Sequence, residues 1–165
     1  MAAESHKEQV RENLKVGVVT ASDSRTAETD RSGAAIRDMF EGAGHKVAYY
    51  EIVPDAPSKI AHAIVMHLPE VDAMVVNGGT GLTRRDVSAD VVRSLLDREI
   101  EGFGELFRML SYEEIGAAAM VSRAIAGVRH GKFIAALPGS TGACRLAMEK
   151  LILPQIGHIA FLLSQ

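Results

Sequence analysis

The chain has 165 residues and a formal net charge of −3, the size of one domain with room for a core that needs no covalent staples. The negative balance, the lack of Trp and the mere 3 Tyr and 5 Phe argue against a nucleic-acid or membrane partner held by bulk electrostatics, and against a base-stacking surface. One cysteine, Cys144, rules out an intrachain disulfide framework and a thiolate zinc cluster, and points to reducing, cytoplasmic conditions.

Taken in order, the chain alternates strand and helix. Residues 1–12 read as a flexible tail, too polar in its first nine residues for a secretory signal, and residues 13–165 as a single α/β domain. No apolar run approaches the length of a membrane span. Lys15 to Thr20 is short, apolar and β-branched, which predicts a buried strand. It ends in the polar turn Ala21-Ser22-Asp23-Ser24-Arg25. Asp30 and Ser32-Gly33 form a helix-start signal, Ile36, Met39, Phe40 and Ala43 its inward face, and Gly42 to Gly44 its end. Lys46 to Val53 is a second strand, stopped by Pro54-Asp55. Pro57 opens a helix with Ile60, Ala63, Ile64 and Leu68 inward. Asp72 to Val76 is a third strand, running into Gly78-Gly79-Thr80-Gly81. Val91, Val92, Leu95 and Leu96 predict a helix, which Glu99 to Glu105 interrupts. Leu106, Met109 and Leu110 predict another, ending near Gly116, and residues 117–123 are ambiguous. Ala124 to Val128 and Lys132 to Leu137 form a hairpin around Arg129-His130-Gly131. The second of these strands stops at Pro138-Gly139-Ser140-Thr141-Gly142. A long final helix contains Pro154, which kinks or restarts it. Strands alternating with helices imply a mostly parallel sheet covered on both faces.

Four strand ends thus carry polar or glycine-rich turns: Thr20 to Asp23, Pro54-Asp55, Gly78 to Gly81 and Pro138 to Ser140. A parallel sheet places them all at one edge, where open α/β sheets bind ligands. Glycines let successive backbone N–H groups converge on an anion. A phosphate is the expected guest, although a bare strand-to-helix turn explains the glycines equally well. The turn is neither a Walker A loop nor the dinucleotide GxGxxG. Asp55 and Asp86 each follow a strand end, and two carboxylates at one cleft suit a Mg²⁺–polyphosphate substrate. Arg84 and Arg85 would balance phosphate charge. Each aspartate is also a plausible turn or helix-cap residue. Asp23 and Asp30 are weaker candidates by the same logic. Ser140 and Thr141 offer hydroxyls and N–H groups to a second polar part of the ligand, or an N-cap. No serine has a paired histidine at a nucleophile elbow. The histidines lack metal-ligand spacing, and Cys144 reads as a packing residue.

These residues carry a resemblance. VVTASDSR, DRSGAAI, IVPD, VVNGGTGLTRRDVSADV, EGFGELFR and ALPGSTGACRLAMEKLILPQIGHI, between Val18 and Ile159, resemble the MoaB/MogA family of molybdenum cofactor biosynthesis, which includes the gephyrin G domain. The last segment is closer to the MoaB branch. The resemblance implies a three-layer α/β/α sandwich, mostly trimeric. It implies molybdopterin binding, and transfer of AMP from Mg-ATP to the terminal phosphate of the pterin with release of pyrophosphate. ATP with Mg²⁺ is then a substrate, with no permanently bound cofactor, and the product passes to a MoeA-type partner. By the same resemblance Asp55 and Asp86 are the catalytic, Mg²⁺-orienting pair, and Gly78, Gly79, Thr80 and Gly81 face the pterin phosphate. Ser22, Asp23, Arg85, Ser140 and Thr141 are further substrate-binding positions. Thr141 stands where many relatives have proline. The MoaB branch also includes members that keep the pocket with little transferase activity, so a pterin-binding scaffold is the competing expectation.

Overall fold

A computed structural model describes residues 9–165. Most of the expected tail, residues 1–8, lies outside the described residues. Residues 9–12 run against the body of the protein: the Arg11 N–H donates to the Gly157 carbonyl at 3.0 Å, and the Arg11 guanidinium pairs with Asp72 at 2.9 Å.

The elements in order are β1 (Lys15–Ala21), α1 (Arg31–Gly42), β2 (Lys46–Val53), α2 (Pro57–His67), β3 (Ala73–Asn77), α3 (Ser88–Leu95), β4 (Arg98–Glu99), α4 (Glu101–Ile115), β5 (Ile125–Arg129), β6 (Lys132–Leu137), α5 (Thr141–Ala147) and α6 (Leu153–Leu163). One six-stranded sheet has the order β2-β1-β3-β6-β5-β4. The first four strands in that order are parallel, and β5 and β4 are antiparallel to their neighbours. The predicted hairpin closes at His130 and Gly131, whose φ angles of 47° and 70° suit a tight turn matched to the strand twist.

Strand alternation divides the apolar residues between two layers. Val16, Val18, Ala73, Val75, Phe133, Ala135 and Leu137 face one side, where Ile36 and Phe40 of α1, Phe107 of α4 and Cys144 and Ala147 of α5 cover them. Val19, Met74, Val76, Ile134 and Ala136 face the other, against Ile60 and Ile64 of α2 and Val92 of α3. The result is the expected α/β/α sandwich. Each fully buried large apolar side chain of these layers contributes about 2 kcal/mol, so both faces of the sheet are firmly pinned.

One expectation needs correction, and two readings gain detail. The interruption expected over Glu99 to Glu105 is confined to Glu99 and Ile100, and Glu101 to Glu105 is the start of α4. Gly104 sits in a tight place there, since a Cβ would lie 3.1 Å from the Ala124 carbonyl and 2.6 Å from the movable Arg108 guanidinium. Sequence patterning reads such a glycine as a breaker because the backbone it packs beside, at Ala124, lies outside its own segment. The ambiguous stretch after α4 is a 3₁₀ turn, Gly116–Val121, and β4 is a two-residue strand too short to show a pattern. Finally, α5 and α6 join through a π turn, Met148–Ile152, into a helical run Thr141–Leu163. Its most apolar 18 residues, with a mean hydropathy of 1.4, meet the length and composition of a membrane span, as a core helix also does. Arg145, Glu149 and Lys150 had masked it as a continuous apolar stretch. Its Cys144, Ala147, Met148, Ile152, Ile156 and Ala160 pack into the core. Pro154 sits in the first turn of α6, where its missing N–H costs least.

Candidate functional site

The carboxyl ends of β1, β2, β3 and β6 lie side by side, as the parallel register requires. β3 stays buried to its last residue, Asn77. The chain then turns through Gly78 and Gly79 with φ of +93° and +71°. A Cβ at Gly78 would sit 2.4 Å from the Ala21 carbonyl, and one at Gly79 would sit 2.6 Å from the Ser88 Oγ. Both positions therefore require glycine for conformation and for space. The second turn touches the first: a Cβ on Gly139 would be 3.4 Å from Gly78 Cα. Ser140 caps α5 by accepting from the Ala143 N–H at 3.3 Å.

A cavity of about 250 Å³ opens between these turns and the end of α4, lined by Gly79, Thr80, Gly81, Asp86, Gly139 and Ser140 among others. A larger groove of about 600 Å³ lies between α4 and α6, around Phe103, Leu106 and Ile159. It is almost wholly apolar and lacks the convergence of glycine turns and carboxylates that marks a binding site for a polar ligand, so the smaller cavity is the candidate.

The predicted residues fall into two adjoining groups. Gly79, Thr80, Gly81, Asp86 and Ser140 share the cavity, while Gly78 and Thr141 are outside the lining. Ser22, Asp23 and Asp55 form the second group, across the ends of β1 and β2. The Asp23 N–H donates to Asp55 Oδ2 at 3.2 Å and the Asp55 N–H to Asp23 Oδ1 at 3.0 Å. Ser22 Oγ accepts from the Ser24 and Arg25 N–H groups at 3.2 and 3.1 Å, a local turn bond. Asp86 joins the groups electrostatically. Burial, then the Asp23 charge and more weakly the Asp86 charge, raise the Asp55 carboxyl above the ordinary carboxylate value, and Arg85 partly offsets this. Arg85 and Arg84 are exposed. Asp86 itself is held below the ordinary value, mainly by the Thr83 hydroxyl, against the effect of burial. Its Oδ2 accepts from Thr83 Oγ1 at 2.6 Å and from the Thr83 N–H at 2.8 Å.

Among the described residues no group of three or more His, Cys, Asp or Glu comes together to hold an ion. A Mg²⁺ that arrives with a polyphosphate is compatible with this set, because such an ion takes one or two protein carboxylates and keeps its phosphate oxygens and waters.

Beneath the turns lies a buried polar network that sequence reasoning largely missed. Asp30, 1% exposed, accepts from Thr20 Oγ1 and Tyr50 OH, both at 2.6 Å, and caps α1 through the Gly33 N–H at 3.0 Å. Burial opposes its charge, but these bonds and Arg25 together hold its carboxyl below the ordinary value. Ser32 Oγ donates to Asn77 Oδ1 at 2.7 Å, and Asn77 Nδ2 donates to Thr20 Oγ1 at 2.9 Å. The available signal was a polar residue, Thr20 or Asn77, closing an otherwise apolar strand. Arg123 was also missed. It bonds the glycine turn from a segment without periodicity.

Comparison with known proteins places the chain as a whole. Residues 17–158 match the family model described as "Probable molybdopterin binding domain". The chain belongs to this molybdopterin-binding family. It is 51% identical to molybdenum cofactor biosynthesis protein B of Bacillus cereus over 164 residues, covering 98% of this chain and 97% of that protein. A crystal structure of a molybdenum cofactor biosynthesis protein B superposes with a TM-score of 0.90 at 52% identity, over 94% of this chain and 99% of that one. A structure of MogA shares the fold with a TM-score of 0.83 at 24% identity, over 90% of this chain and 99% of that one. The family member described here therefore sits with the MoaB branch, as its final helical segment suggests, and has a place in the molybdopterin pathway.

Proposed function

We propose that this chain binds molybdopterin in the cavity between the Gly78–Gly81 and Pro138–Ser140 turns and transfers AMP to it from Mg-ATP. A terminal phosphate oxygen of the pterin attacks the α-phosphorus of ATP. The bond from that phosphorus to the bridging oxygen breaks, and pyrophosphate leaves. Positioning and charge neutralisation do most of the work. The glycine turn grips the pterin phosphate, Asp55 and Asp86 orient the Mg²⁺ of the nucleotide, and Arg85 offsets phosphate charge. The observation that carries this reading is the convergence of the Gly79–Gly81 turn, Asp86 and Ser140 on one cavity, beside the reciprocally hydrogen-bonded Asp23 and Asp55 at the ends of β1 and β2. Crowded carboxylates, one of them raised, form a place where a hard cation relieves a standing repulsion. A homotrimer in the cytoplasm, handing its product to a MoeA-type partner, completes the proposal.

One observation favours a second reading. The Asp86 carboxylate is committed to Thr83, a loop-building role that a non-catalytic pterin-binding protein needs just as much. Incubation of purified protein with molybdopterin and Mg-ATP separates the two. Adenylylated pterin and pyrophosphate, lost in Asp55→Asn and Asp86→Asn variants that still fold, support transfer. Tight pterin binding without product supports the scaffold, and turnover retained by both variants removes the aspartates from the mechanism.

A further inference from the structure

Two arginines hold the two turns from behind. Arg123 donates from Nε to the Gly81 carbonyl at 2.8 Å and from Nη2 to the Asp86 carbonyl at 2.6 Å. Its own N–H donates to the Thr80 carbonyl at 2.9 Å. The remaining face of its guanidinium is anchored by Asp90 of α3, at 2.8 and 2.9 Å. Arg25 donates from Nη2 to the Gly139 carbonyl at 2.7 Å and from Nη1 to Ser32 Oγ at 2.6 Å, with the buried Asp30 carboxylate 3.5 Å away. Gly81, Asp86 and Gly139 line the cavity, and neither arginine does.

A trans peptide points its C=O and its N–H in opposite directions. Fixing the Gly81 and Gly139 carbonyls toward a guanidinium therefore fixes the Leu82 and Ser140 N–H groups on the side away from it. Glycine peptides rotate with little hindrance, so nothing in these residues' own chemistry holds that orientation. We propose that Arg25 and Arg123 are positioning residues, which lock the Gly139–Ser140 and Gly81–Leu82 peptide planes so that the cavity meets the ligand's phosphate with preset N–H donors. The proposal rests on the reading of the cavity as a molybdopterin site. The two locks are tied to opposite layers of the sandwich, Arg25 to α1 and Arg123 to α3, so each turn is set independently. The fork geometry is essential, because a lysine ammonium delivers the charge without the paired, planar donors.

The test uses the full chain carrying Arg25→Lys or Arg123→Lys, with Asp90→Asn as a milder variant that loosens the Arg123 anchor without touching the turn. Amide residual dipolar couplings of Leu82 and Ser140 in ligand-free protein report the peptide planes directly. Affinities for molybdopterin and for its dephosphorylated form report the consequence. The expected result is reorientation of Leu82 in the Arg123 and Asp90 variants and of Ser140 in the Arg25 variant. Affinity for molybdopterin falls about tenfold or more, while the dephosphorylated pterin binds as before. Unchanged couplings overturn the proposal, as does equal loss of both ligands. Should the unmodified protein ignore molybdopterin altogether, the functional reading fails while the couplings still decide the arginines' role.

Discussion

Asp55 and Asp86 lie beside neighbouring strand ends, yet their surroundings push their carboxyls in opposite directions. For Asp55 the folded value is raised by burial and by Asp23. Between the ordinary carboxylate value and that raised value the folded state holds more protons than the unfolded one, so stability falls as pH rises through this window and stays lower above it. Asp55→Asn removes that penalty, and its thermal midpoint at pH 7 is expected to rise. The gain shrinks as pH is lowered into the carboxylate range. Asp86 has the reverse sign. Its lowered value contributes stability that is present above the ordinary carboxylate value and is lost as pH falls through the depressed one. Asp86→Asn is expected to cost about 1 kcal/mol through weaker bonds to Thr83, seen as a lower midpoint in the same scan. A residue that destabilises the protein that keeps it is the signature of function over stability, and Asp55 fits it better than Asp86. Asp30 is the structural extreme: Asp30→Asn places an amide against the Thr20 and Tyr50 hydroxyls, and a loss of about 3 kcal/mol is expected in urea unfolding. Asp55 and Asp86 were legible from sequence because each sits at a strand-end turn. Arg25 and Arg123 were not. Arg25 reaches a carbonyl 114 positions away, and nothing local records such a bond.

The turns were legible as elements because an apolar strand that stops at glycine has few other meanings. The structure adds which glycines matter. Gly78→Ala puts a Cβ 2.4 Å from a backbone carbonyl at a φ of +93°, and a loss of more than about 2 kcal/mol is expected. Gly142, in the first turn of α5, has nothing within 4 Å of a Cβ. Gly142→Ala is therefore expected to be neutral or to stabilise by about 0.5–1 kcal/mol. Chemical denaturation of the pair checks both signs at once. The strands β1, β3 and β6 were readable because burial on both faces leaves continuous apolar runs. The start of α4 was not, because Gly102 and Gly104 read locally as breakers while Gly104 packs beside Ala124, outside its own segment.

At the scale of the whole molecule, the apolar surface is concentrated. Leu106, Met109, Tyr112 and Ile115 recur every third residue along α4, and Met120 and Val121 follow on the next turn. All are exposed, Met120 by 80%. Patches of this kind mark contact surfaces, and this one adjoins the cavity through Ile115 and Val121. In the proposed homotrimer, Met109→Glu is expected to shift the mass in sedimentation equilibrium from three chains toward one, and an unshifted trimer would place the interface elsewhere. Fold and family follow from the order of the strand-end motifs, but the chemistry depends on where a few oxygens and N–H groups stand. The most direct measurement is the reaction itself: purified protein, molybdopterin and Mg-ATP, with adenylylated pterin and pyrophosphate quantified together. Stoichiometric formation of both, abolished by Asp55→Asn, is the predicted result. Saturable pterin binding with no pyrophosphate released would contradict it.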